Sequence, residues 1–213
     1  MSTKKIYFVR HGQTDFNKNS IVQGASIDAP LNKTGFLQAK ALFQYYKQLA
    51  FDKVYTSALV RTKETVQQFL DLGISHTSLT ALNEISFGIY DGTKHTTAEN
   101  GVLNQIVKKW NQGETHLKTE EGESPEDLAL KQQDFIELVK KDPSERVLVC
   151  MHGRAMRILL CQLMGESLAE MDKYKHHNTC VYVVSYENGV FQLEETNSLA
   201  HLEAYETEEQ LIF

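Results

Sequence analysis

The chain has 213 residues, 41% of them hydrophobic and 23% charged, with a formal net charge of −6. These proportions are those of an ordinary globular protein with one sizeable core. The acidic balance excludes a non-specific nucleic-acid binder, and apolar runs no longer than a strand exclude a membrane span.

No Pro/Ser/Gly-rich linker divides the sequence, so residues 1–213 are expected to form a single domain. Met1-Ser2-Thr3-Lys4-Lys5 leads into a first strand with no apolar signal region, which predicts a cytoplasmic protein. That strand spans about Lys4–Val9 and delivers Arg10-His11-Gly12 directly at its end. Asn32 is an N-cap for a helix over Lys33–Leu49, where Phe36, Leu37, Leu42, Phe43 and Tyr46 recur at helical spacing. Lys53–Thr56 reads as a short strand, after which Ser57 caps a helix to Leu72 and Gly73 supplies its left-handed stop. Ser75–Leu79 reads as a further strand.

From Ser86 to Gly122 the periodicity weakens, with one helix near Ala98–Trp110. This segment, 86–122, is expected to act as a lid and specificity element, its rim features being Tyr90, His95, Trp110, His116 and scattered lysines. Ser124, Pro125, Glu126 and Asp127 then mark a helix start, and Lys140-Lys141 before Pro143 mark its end. Val147–Met151 is a second apolar strand, delivering His152-Gly153-Arg154. Helix is expected over Met156–Leu163. Cys180–Tyr186 and Val190–Glu195 flank Asn188-Gly189, the strongest short hairpin signal. The acidic tail, 203–213, is set apart as mobile. Cys150, Cys161 and Cys180 are odd in number and apolar in surroundings, which reads as buried free thiols of a reducing compartment. The alternation of strands and helices predicts an α/β sandwich with a largely parallel sheet.

Two strands that each end in His-Gly predict two imidazoles at one sheet edge, where glycine lets backbone approach a ligand. Arg61 joins them. In the first turn of its helix a cation opposes the macrodipole, and a bound anion would remove that conflict. Arg10, Arg61 and two imidazoles suit a dianionic phosphoryl group, whose oxygens match planar guanidinium forks.

Arg10-His11-Gly12-Gln13-Thr14-Asp15-Phe16-Asn17 resembles the R-H-G-x-T-x-x-N signature of the histidine phosphatase superfamily, the phosphoglycerate mutase-like proteins. The agreement continues in order through Gln23-Gly24, Asp28-Ala29-Pro30-Leu31 before Gly35, Thr56-Ser57 before Arg61, and Glu84 before Phe87-Gly88 and Asp91-Gly92. Gly122-Glu123-Ser124, His152-Gly153 and Asn178-Thr179 complete it. The resemblance implies a three-layer α/β/α sandwich with a mostly parallel sheet and both histidines at its C-terminal edge. It implies His11 as nucleophile, Glu84 as acid and base, and Arg10, Arg61 and His152 around the transferring group, with His152 best used as a cation favoured by the bound phosphate. Asn17, Gln23, Gly24 and Gly153 are expected to help bind a small phosphorylated substrate. No metal and no cofactor are expected, because arginine and imidazole already supply the positive charge. His176-His177 is no metal motif, since neighbours on a strand face opposite ways.

Three rivals were weighed. A cofactor-dependent phosphoglycerate mutase would place arginines on the substrate carboxylate, yet no arginine lies between Arg61 and Arg146. The chain also reads Glu84-Ile85-Ser86-Phe87-Gly88 where glycolytic mutases favour E-R-x-Y-G. A cysteine-dependent phosphatase using Cys150 needs an arginine at the position Met156 holds. A phospho-ligand-binding domain without chemistry would lack one of the five core residues, and all five are present. Phosphomonoester hydrolysis through a phosphohistidine is therefore the expectation.

Overall fold

A computed structural model of the chain describes residues 3–94 and 101–205, Tyr205 by its backbone alone. His95, the first turn of the helix expected from Ala98, and the tail beyond 205 lie outside the described residues. Seven helices and six strands are described: β1 Lys4–Arg10, α1 Asp15–Lys18, α2 Lys33–Tyr46, β2 Lys53–Ser57, α3 Val60–Leu70, β3 Ser75–Leu79, α4 Gly101–Trp110, α5 Pro125–Lys141, β4 Arg146–Met151, α6 Gly153–Met164, β5 Val181–Glu187, β6 Val190–Ser198 and α7 Ala200–Tyr205. The strands form one sheet in the order β3-β2-β4-β1-β5-β6. β1 to β4 run parallel, whereas β5 is antiparallel to β1 and β6 to β5.

Alternation along the strands builds the layers. Ile6, Phe8, Val147, Val149 and Met151 face α5 and α6, meeting Leu128, Phe135, Leu159 and Leu160. Val9, Leu148, Cys150 and Val54 face the other way, onto Leu42 of α2 and Val66 and Phe69 of α3. The central strand β4 is buried on both faces from Val147 onward, as a parallel strand between two helical layers must be. The result is a three-layer α/β/α sandwich, and no described helix is long and apolar enough to cross a membrane.

Several element ends differ from expectation, each for a local reason. β1 runs one residue further, to Arg10, because β4 and β5 pair along it. α2 stops at Tyr46, and a tight 3-10 turn over Lys47–Leu49 ends on Ala50 at φ 48°. Ser57 is not an N-cap: it is the last residue of β2, and α3 begins at Val60 behind Leu59, which offers no side-chain cap. α6 begins at Gly153, three residues before the expected Met156, because His152 itself holds the extended N-cap backbone. The Ser124 capping box closed by Asp127 and the Asn188-Gly189 turn, at φ 51° and 85°, are as read from the sequence. Within 86–122, Trp110 is buried in the main core and not at the expected rim, which ties α4 to the body of the protein, while its Nε1 donates to Leu117 O of the same segment at 2.8 Å.

Candidate active site

In the β1–β4 register Arg10 pairs with Met151, so His11 and His152 leave neighbouring strands at the same level. Their ring centroids are 5.1 Å apart and both rings are buried. The His11 N–H donates to Met151 O at 3.0 Å, fixing the backbone at the junction. Gly12 follows because nothing larger fits: a Cβ there would lie 2.7 Å from Gly35 O. His11 Nδ1 is 2.8 Å from Gly12 O, a carbonyl that only accepts, so Nδ1 carries the proton and Nε2 keeps its lone pair. Burial, then Arg61 and Arg10, hold the His11 ring well below the usual imidazole range, so it is neutral.

Arg61 is fully buried in the first turn of α3. Its Nη1 donates to Ile27 O at 2.6 Å and its Nε to His152 Nδ1 at 3.2 Å. Accepting from Arg61 leaves His152 protonated on Nε2, which meets Ser57 Oγ at 2.8 Å. His152 is therefore neutral in the free site, pushed well below its ordinary value by burial and Arg61. Burial also lowers Arg61, to about 10. Arg10 reaches His176 O through Nη1 at 3.5 Å. Among the described residues, Arg10 Nε, Arg61 Nη2 and Gln23 Nε2 are buried donors without a partner. All three belong to residues of the expected binding set, and native proteins rarely leave such groups unmatched.

Glu84, only 8% exposed, sits on the N-terminus of α6. Its Oε2 accepts from Arg154 N at 3.1 Å, and its Oε1 from Ala155 N at 2.8 Å and Ile85 N at 3.0 Å. Oε2 carries one donor against two on Oε1 and keeps the freer lone pair. The helix that begins after His152 thus also orients the carboxylate.

Asn17 closes a capping box with Thr14 and takes Asn178 Nδ2 on its Oδ1 at 3.1 Å. Thr14 Oγ1 donates to Gln23 Oε1 at 2.7 Å. The Gly24 N–H donates to Asp91 Oδ1 at 2.9 Å, and a Cβ there would lie 2.2 Å from that oxygen, so a loop-to-loop contact by itself requires glycine at this position. Gly153 packs under the His176 ring, 3.1 Å from where its Cβ would be. His176 and His177 lie on a loop before β5, not on a strand; His176 is half-buried beside Arg10 and pushed down to about 2 by burial and then Arg10 and Arg157, while His177 is exposed. Burial raises the Cys150 thiol far above its ordinary value.

Sequence reasoning leaves His176 with a surface or substrate-rim role, and misses Ser57 and an arginine pair on α6. Arg154 and Arg157 both bond Asp172 Oδ1 at 2.5 Å, and Arg154 lies over the Trp110 ring. Both arginines lie beyond the second histidine, outside the segment where a mutase carries its carboxylate-binding arginines, and their i, i+3 spacing is the signal the sequence offers.

A family model described as the histidine phosphatase superfamily, branch 1, matches residues 6–199. A protein of Schizosaccharomyces pombe named a probable phosphatase is 30% identical, over 95% of this chain and 97% of its own length. The phosphoserine phosphatase of Entamoeba histolytica, solved in complex with phosphoserine, superposes with a TM-score of 0.80 at 27% identity, over 93% of this chain and 99% of that one. Mycobacterial glucosyl-3-phosphoglycerate phosphatase superposes with a TM-score of 0.80 at 22% identity, covering 92% and 99%, which speaks for the fold alone.

Proposed function

The chain belongs to the histidine phosphatase superfamily, branch 1, and from that premise we propose that it hydrolyses phosphomonoesters of small metabolites through a phosphohistidine on His11. The observation that carries this is the pair of neutral imidazoles beside buried guanidinium donors, Arg10 Nε and Arg61 Nη2, that have no protein partner. His11 Nε2 attacks phosphorus in line as the bond to the leaving oxygen breaks, and Glu84 Oε2 gives that oxygen its proton. Glu84, now ionised, takes a proton from water; the hydroxide attacks phosphorus, the N–P bond breaks, and inorganic phosphate leaves. Arg10 and Arg61 hold the equatorial oxygens, and their contribution is preorganised charge. A dianion beside the neutral His152 favours protonation of Nδ1, which then exchanges the Arg61 Nε–H for an oxygen of the anion, so the imidazolium belongs to the occupied site.

Asn17 Oδ1 is committed within its capping box, so Nδ2 is the group it presents to phosphate. Gln23 contributes Nε2. Gly153 shapes the pocket through its contact with His176. The segment 86–122 sets the specificity. The reading calls on no metal, since arginine and imidazole supply the positive charge, and it involves neither nucleic acid nor membrane. Free, buried Cys150, Cys161 and Cys180 accord with a cytoplasmic location.

A phosphatase loses the phosphoryl group to water, whereas a mutase returns it to the bound product. With purified protein and 3-phosphoglycerate followed by phosphorus NMR, with and without 2,3-bisphosphoglycerate, inorganic phosphate should appear faster than 2-phosphoglycerate. Isomerisation that outpaces phosphate release would overturn the hydrolytic reading.

A further inference from the structure

We propose that His201, on α7 and remote from the sheet edge in sequence, is a positioning residue for the nucleophile, acting through Thr179; this rests on His11 being that nucleophile. Thr179 is buried and non-glycine, yet sits at φ 57°. The left-handed region is costly for a β-branched residue and persists only where the surroundings over-determine it. What it secures is the backbone of the His11 junction. The Thr179 N–H donates to Arg10 O at 3.1 Å and to His11 O at 3.4 Å. Asn178 Nδ2 donates to His11 O and to Asn17 Oδ1, both at 3.1 Å.

The Thr179 hydroxyl is oriented from two sides. It donates to Asn178 O at 2.8 Å and accepts from His201 Nε2 at 3.0 Å. Because that hydroxyl proton is already committed, His201 must carry its own proton on Nε2. The ring is 1% exposed and its Nδ1 has no partner, a cost that an apolar side chain of the same shape would avoid. Burial pushes its proton affinity down to about 4, so it is a neutral donor. α7 is fixed in turn: Leu202 packs on Ala41 and Leu37 of α2, and the His201 ring lies 6.1 Å from Tyr46. A chain of contacts therefore runs from α2 through His201 and Thr179 to the carbonyls of Arg10 and His11.

His201→Phe keeps a ring but removes the donor; His201→Gln places an amide N–H where Nε2 stands. In single-turnover measurements with p-nitrophenyl phosphate, His201→Phe should form phosphohistidine about tenfold or more slowly, since small displacements of a reacting group are that costly. Its KM should stay near that of the wild type, and His201→Gln should recover most of the rate. Thr179→Gly relieves the backbone strain while deleting the acceptor, and should show the same slow step in a folded protein. A wild-type rate in His201→Phe or in Thr179→Gly would overturn the inference, as would a His201→Gln variant as slow as His201→Phe. Absence of phosphohistidine in the wild type would instead overturn the functional reading on which this rests.

Discussion

Replacing Arg61 with methionine separates the stability of the free protein from its affinity for phosphate. The guanidinium is fully buried, bonded to Ile27 O and His152 Nδ1, with Nη2 unpartnered. An unmatched buried donor costs about 1–3 kcal/mol, and removing it strands two acceptors that each carry a similar penalty, so the free variant should be less stable than wild type by about 1–3 kcal/mol. Ligand binding tells the two apart. At inorganic phosphate or vanadate about 100 times its dissociation constant, the wild type gains about 2.7 kcal/mol. For a chain of this size each kcal/mol moves Tm by about 2–4 °C, giving an upshift of about 5–11 °C. A lost charge-assisted bond weakens binding by about tenfold or more, which at the same ligand concentration leaves a gain of at most about 1.4 kcal/mol. Thermal denaturation of both proteins across a phosphate titration reads the difference. Equal upshifts in wild type and Arg61→Met would show that the buried guanidinium is not directed at the anion.

Two further outcomes follow from the geometry. Glu84→Gln keeps the shape on the α6 N-terminus but removes the transferable proton, so alkyl phosphates should lose far more rate than p-nitrophenyl phosphate, whose leaving group needs little protonation; equal losses would mean that Glu84 is not the acid. His11, His152 and His201 are buried and His176 half-buried, and all four have folded-state pKa values below the unfolded value near 6.5, His176 at about 2 and His201 at about 4. The unfolded chain therefore binds protons first as pH falls, and stability present above pH 6.5 is lost below it, by about 1 kcal/mol per group over the first unit; a Tm that stays flat from pH 6.5 to 5 would contradict this burial.

What the sequence disclosed was what local chemistry controls. Two apolar strands ending in His-Gly, Asn32 and Ser124 as caps, and Asn188-Gly189 as a turn each carry their signal within a few residues. The position of Arg61 in a first helical turn was legible because a cation there conflicts with the helix dipole. Long-range pairing was not legible. Ser57 reads locally as a cap, but strand pairing with Leu79 keeps it in β2 and turns its hydroxyl toward His152. The close approach that requires glycine at position 24 is to the carboxylate of Asp91, 67 residues away, which no local pattern discloses. Asp172, His176 and His201 gain their meaning only from partners on other elements, such as Arg154, Arg10 and Thr179, and no periodicity announces them.

The central claim is that a covalent phosphoryl group resides on His11. Rapid acid-free quenching of the wild type during turnover of a labelled phosphomonoester, followed by peptide mass spectrometry, tests it directly. An acid-labile, base-stable phosphoryl group on the peptide bearing His11, absent from folded but inactive His11→Ala, is the predicted result. Label on Cys150 or a serine, or turnover surviving in His11→Ala, would contradict the account.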